Sequence, residues 1–74
     1  QWAGFAKGTD SVVRRGEPGD PKGWAFCWLA GDRLVAMLTV DRPRDLVQGR
    51  RRMTEGFHPD PVRLADPAVP VKSA

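Results

Sequence analysis

The run WAFCWLA, Trp24 to Ala30, is followed after Gly31 and Asp32 by RLVAMLTV, Arg33 to Val40. Each run suits a strand, and the Gly-Asp pair between them fits a tight hairpin connection. In period-2 reading Trp24, Phe26 and Trp28 share one face of the first strand, and Ala25, Cys27 and Leu29 share the other. Leu34, Ala36, Leu38 and Val40 alternate with Val35, Met37 and Thr39 in the second. Neither strand has a polar face. An antiparallel sheet at the surface of a small protein normally shows one, so both faces of this sheet require cover. The chain has only 74 residues with which to supply it.

Turn signals divide the remainder. QWAGF reads as the end of an extended segment, AKGTD as a turn, SVVRR (Ser11 to Arg15) as a short strand, and GEPGDPKG (Gly16 to Gly23) as a polar loop. Three successive extended segments with short connections predict an antiparallel meander. Helix signals begin at Asp41. Asp41 or the residue after it is the expected cap, Pro43 is tolerated in the first turn, and Gly56 is a natural stop. On a helical wheel Leu46, Val47, Met53 and Thr54 gather on one side. Arg44, Asp45, Gln48, Arg51, Arg52 and Glu55 spread over the other, with Arg51 and Glu55 spaced to pair. Asp60 and Pro61 open one or two further helical turns, and Val69 and Val71 are candidate anchors for the proline-rich tail. The expected fold is therefore α+β. It is a small antiparallel sheet of 3–5 strands in a meander, with one main helix on one face and a short C-terminal helical turn, all in one domain spanning 1–74.

The arginine run Arg50-Arg51-Arg52 cannot face one ligand, because consecutive residues on a helix fan over about 200°. Arg51 and Arg52 are expected in solvent. Arg50 falls in the middle of the apolar side. Its stem can lie on the sheet with its head at an edge, it can pair with a buried carboxylate, or its side of the helix can meet another body.

Composition excludes several classes of function. The chain is 41% hydrophobic and 28% charged, with net charge +3. That is a folded composition, mildly favouring acidic partners. No apolar run approaches the roughly 20 residues of a membrane helix. No glycine-rich nucleotide or phosphate loop is present. Cys27 and His58 are the only soft metal ligands and form no zinc set, so no metal site is expected. His58, followed directly by proline, reads as a loop residue, and Cys27 as inert strand packing, so no catalytic residue is assigned. Trp24, Phe26 and Trp28 read first as core. A base-stacking platform is the alternative use of such a face, making the chain a free-standing basic nucleic-acid-binding module. The lone cysteine fits a reducing, cytoplasmic compartment. The chain opens on Gln1 rather than methionine and reads as a fragment or a processed product.

The ordered segments SVVRRGEPGD, WAFCWLAGDRLVAMLTVDRPRDLVQGRRRMTEG and DPVRLADPAVPVK resemble the C-terminal domain of FAD-dependent ferredoxin reductases. This is the putidaredoxin reductase and aromatic-ring dioxygenase reductase type, within the pyridine nucleotide-disulfide oxidoreductase superfamily. The most specific pieces are the DRPRD strand-to-helix junction, the arginine pair within the helix, and the closing LADPAVPVK. The resemblance implies a non-catalytic domain of an NAD(P)H-dependent oxidoreductase that packs on an FAD domain. It also implies that the domain helps to dock an acidic ferredoxin or supports a homodimer. FAD and NAD(P)H would bind elsewhere in the parent, so no cofactor-binding residue is assigned here. Arg42, Arg44, Arg51 and Arg52 become candidates for partner docking, with ordinary solvation as the plain alternative. Trp24, Phe26, Trp28 and Arg50 become candidates for the domain interface. The family usually carries an aromatic-Trp-Ser-Asp stretch beside the flavin, expected upstream of Gln1. Asp41 stands where Asn is expected at the helix junction.

Overall fold

A computed structural model describes residues 1–74. Four strands form one antiparallel sheet: β1 (Trp2–Gly4), β2 (Ser11–Arg15), β3 (Trp24–Ala30) and β4 (Arg33–Val40). Their spatial order is β1-β4-β3-β2, so the β2-β3-β4 meander is extended by β1 on the far edge of β4. Helix α1 (Pro43–Thr54) follows β4, α2 (Pro61–Ala65) follows a loop, and a single 3-10 turn covers Val71–Ser73. The α+β architecture expected from the sequence is the one found.

The three helical pieces cover one face of the sheet. Ala25, Cys27 and Leu29 of β3 and Met37 of β4 are buried with Ala3, Leu34, Leu46, Leu64 and Val71 in one core cluster. Val71 anchors the tail as expected. A bulge refines the period-2 reading of β4. Trp28 pairs with Ala36 but Leu29 pairs with Leu34, leaving Val35 as the extra residue. An extra residue reverses facing direction along the strand. Leu34 therefore crosses to the helix side and packs in the core.

Helix α1 can lie this close because of Gly49. A Cβ there would sit 2.2 Å from Met37 Sδ. Its start falls on the second of the two expected positions. Asp41 has φ +57, in the left-handed region, and the cap position belongs to Arg42, whose carbonyl accepts from Leu46 N–H. No side chain caps this end. The helix stops as expected, with Gly56 at φ +72 after Glu55. Its faces are also rotated from the wheel reading: Asp45, Leu46 and Gly49 are buried, whereas Val47 is 65% exposed. The expected Arg51–Glu55 pair is replaced by Arg52–Glu55 at 3.6 Å. At α2 the prediction holds: Asp60 Oδ1 accepts from Val62 N–H at 3.0 Å, and Pro61 begins the helix.

Candidate functional site

The other sheet face has no second layer. Trp24, Phe26 and Trp28 of β3 are half-buried there, beside Leu38, while Trp2, Val12 and Val40 are exposed. The rings form a chain: Trp2 and Trp28 are 5.0 Å apart, Phe26 and Trp28 6.2 Å, and Trp24 meets Phe26 edge-on at 5.3 Å. All three tryptophans of the molecule thus lie on one open apolar surface. Rings packed obliquely against one another present edges as well as faces. Arg50, grouped with these residues from sequence, lies on the helix layer instead. Its head reaches the β1 edge, where Nη2 is 3.4 Å from the Trp2 carbonyl.

Beneath the helices lies a polar centre that sequence reading overlooked. Arg15, at the end of β2, is fully buried. Its Nε donates to Asp45 Oδ2 at 3.0 Å, and its Nη1 and Nη2 donate to the carbonyls of Leu64 (2.7 Å), Asp66 (3.2 Å) and Val69 (2.8 Å). Arg42 Nε donates to the same Asp45 Oδ2, and its Nη2 reaches the Pro67 carbonyl at 3.0 Å. Arg63 Nη2 holds the Ser73 carbonyl at 3.0 Å and Arg52 Nη2 the Lys72 carbonyl at 2.7 Å. Four guanidinium groups therefore bind the C-terminal segment through its backbone. A signal existed: Arg15 shares strand parity with Val13, and an arginine at an inward position demands a buried acceptor. Of the three alternatives for Arg50, the head at a sheet edge is the one found, and the buried carboxylate pairs with Arg15 and Arg42 instead.

This divides the four arginines singled out from the sequence. Arg42 and Arg52 are half-buried and committed to tail carbonyls; Arg52 also sits 5.4 Å from the Phe57 ring. Arg44 and Arg51 are exposed. Spaced seven residues apart, they share the outer stripe of α1 with Val47 and Gln48. A cleft of about 320 Å³ runs along this stripe, lined by Val47, Gln48, Arg51, Arg52, Glu55 and, from the tail, Lys72. It has an apolar floor at Val47 and a mainly cationic rim.

Two titratable groups depart from their ordinary behaviour. Burial pushes the Cys27 thiol up from 9.0 to about 12, against a smaller opposing effect of the Arg15 charge. Such a thiol is a packing group. The exposed Asp32 carboxyl is held below its usual range by the hydrogen bond from His58, whose Nδ1 lies 2.9 Å from Asp32 Oδ1. That contact ties the β3–β4 turn to the loop after α1. No cluster of three or more His, Cys, Asp or Glu residues could hold a metal.

The reductase C-terminal family model matches residues 1–74. The chain belongs to that family. It is 35% identical over 69 residues to putidaredoxin reductase of Pseudomonas putida, covering 93% of this chain and 16% of that one. It is 42% identical over 72 residues to the ferredoxin–NAD(+) reductase component of the anthranilate 1,2-dioxygenase system of Burkholderia cepacia, covering 93% and 17%. Its structure matches the reductase in the crystal structure of the covalent putidaredoxin reductase–putidaredoxin complex with a TM-score of 0.85 and 32% identity. That match covers 96% of this chain and 17% of the other. The chain thus spans about one-sixth of the length of these relatives, and it corresponds to the C-terminal domain of ferredoxin reductases. The resemblance read from the DRPRD junction and the closing LADPAVPVK is confirmed, and a free-standing nucleic-acid module is not favoured. No helix is long and apolar enough to cross a membrane.

Proposed function

We propose that this chain is the non-catalytic C-terminal domain of an NAD(P)H- and FAD-dependent ferredoxin reductase, in which it packs on the FAD domain and presents a docking surface to the ferredoxin. The observation that carries the reading is the family match along the whole chain, to relatives named as ferredoxin reductases. The residues present do not make a flavin site by themselves. They include no phosphate-binding loop, so FAD and the nicotinamide would be held by the parent's other domains.

The two uncovered surfaces suit the two tasks. The aromatic face of Trp2, Trp24, Phe26 and Trp28 is what a permanent intramolecular interface buries, being apolar apart from Arg14 opposite Phe26 at its β2 edge. Five-sixths of the relatives' length lies outside the region matched here, which is ample to cover it. The α1 cleft has the opposite character. NAD(P)H supplies two electrons and a ferredoxin takes one, so the acceptor must leave and be replaced within each cycle. Transient complexes of that kind are small and rely on charge to speed encounter. Arg44, Arg51 and Lys72 around Val47 supply such a charge. Arg42 and Arg52 support the surface through the tail they hold.

The full-length gene product tests both halves of the reading. Oxidised-flavin absorption that bleaches on adding NADH or NADPH is expected, and a colourless protein would remove the reductase assignment. Arg44→Glu with Arg51→Glu should slow ferredoxin reduction at least about tenfold at low salt, with the gap closing as salt screens the charges. Equal rates at every ionic strength would remove the docking assignment and leave these arginines as ordinary solvated charges.

A further inference from the structure

One wall of the α1 cleft comes from elsewhere in the chain. Lys72 reaches it from the 3-10 turn, and α1 grips its backbone on both sides. The Lys72 N–H donates to Gln48 Oε1 at 3.1 Å, and the Lys72 carbonyl accepts from Arg52 Nη2 at 2.7 Å. The tail does not need these bonds to stay attached. Val71 is fully buried beside them, Arg63 holds the next carbonyl at Ser73, and Arg15 and Arg42 hold the carbonyls of Leu64, Asp66, Pro67 and Val69. What the two bonds fix is the orientation of a single exposed residue, through the peptide groups on either side of it, and that residue carries a cation at the cleft's edge.

Arg52 is directed to this task from several sides. Its guanidinium is shared among the Lys72 carbonyl, Glu55 at 3.6 Å and the Phe57 ring at 5.4 Å. Glu55 also offsets its charge. Its role at the cleft is therefore geometric, while Arg44, Arg51 and Lys72 carry the outward-facing charge. We propose that Gln48 and Arg52 are positioning residues that clamp the Lys72 backbone against α1 and so preassemble the two-sided docking cleft; this rests on the ferredoxin-docking reading above. A cleft fixed in advance spares the partner the entropy of ordering its far wall.

The test uses full-length enzyme with putidaredoxin as acceptor and ferricyanide as a small acceptor that needs no docking. Gln48→Ala should raise the KM for putidaredoxin about three- to tenfold. Turnover at saturation and ferricyanide reduction by NADH should stay unchanged. Gln48 is neutral, so the salt dependence of kcat/KM should also stay unchanged, in contrast to Arg51→Glu. Arg52→Lys keeps the charge but loses the rigid fork, and should raise KM similarly. Amide hydrogen exchange supplies a readout independent of any partner. The Lys72 amide should lose protection in Gln48→Ala and keep it in Gln48→Glu, which retains an acceptor. Retained protection in Gln48→Ala would overturn the clamp. Lost protection with an unmoved KM would overturn its role in docking. A wild-type enzyme that reduces ferricyanide but neither putidaredoxin nor the ferredoxins of dioxygenase systems would instead count against the docking reading itself, while the exchange result would still decide whether the clamp exists.

Discussion

Replacing Arg15 by leucine should be among the most costly single changes in this domain. The arginine is fully buried and donates to four acceptors, the Asp45 carboxylate and the carbonyls of Leu64, Asp66 and Val69. Leucine fills much of the volume but donates nothing. Asp45, itself only 6% exposed, would keep Arg42 as its sole cationic partner. Breaking a buried ion pair by removing one member typically costs about 3–5 kcal/mol, because the remaining charge stays desolvated. The orphaned carbonyls add to this wherever water cannot reach them. At roughly 0.05–0.15 kcal/mol per residue, a chain of this size has about 4–11 kcal/mol of total stability. The substitution therefore removes about a quarter or more of it. The assay is urea unfolding followed by tryptophan fluorescence, with variants compared at fixed pH. Arg15→Lys should not restore the loss, since one ammonium cannot span four acceptors spread over two elements and the tail. The double change Arg15→Leu with Asp45→Leu should be less damaging than the sum of the single changes, because neither member of the buried pair is left without the other, although Arg42 keeps only the Pro67 carbonyl. A loss below about 1 kcal/mol for Arg15→Leu, or strict additivity in the double variant, would refute the view that this pair and its carbonyls form the polar centre of the fold.

Two further substitutions or conditions probe the packing. Gly49→Ala places a Cβ 2.2 Å from Met37 Sδ, so the methionine must repack or α1 must lift; a loss of about 1–3 kcal/mol in the same unfolding assay is expected, and the double change with Met37→Ala should cost less than the sum of the two single changes because the clash is gone. Cys27 titrates at about 12 in the fold against 9.0 when exposed, so the unfolded chain releases the proton first. Its contribution to stability is complete below pH 9 and is lost as pH rises from there towards 12, and a thiol reagent at pH 8 should modify Cys27 only as fast as the domain unfolds. Rapid modification of the native protein would contradict the burial of β3.

Much of the fold could be read without coordinates because its determinants are local. WAFCWLA and RLVAMLTV alternate as strands over the ranges observed, Gly31-Asp32 turns them, and Gly56 and Asp60-Pro61 punctuate the helices. The lack of a polar face also carried to the structure. One face of β3 is under the helices and the other is an open row of aromatic rings. The site was less readable. Arg42, Arg44, Arg51 and Arg52 looked equivalent in sequence, yet two of them hold the tail and two face solvent. That division depends on where residues 64–73 return, which no helical wheel contains.

Periodicity, turn residues and the ordered pieces from SVVRR to LADPAVPVK settle the element types, their order and the family of this chain, since each depends on neighbours within a few positions. The tertiary structure decided three other things. It placed an extra residue at Val35, which turned Leu34 inward. It buried Arg15 against Asp45, 30 residues away. It also returned Lys72 to the flank of α1. The last two depend on contacts between residues far apart in sequence, whereas the bulge lies within the β3–β4 hairpin and matters through the core that Leu34 joins; the physical reason is the same in each case. Desolvation and close packing act on what the folded chain brings together, and a buried charge or an added residue is costly or useful only once its distant neighbours are in place.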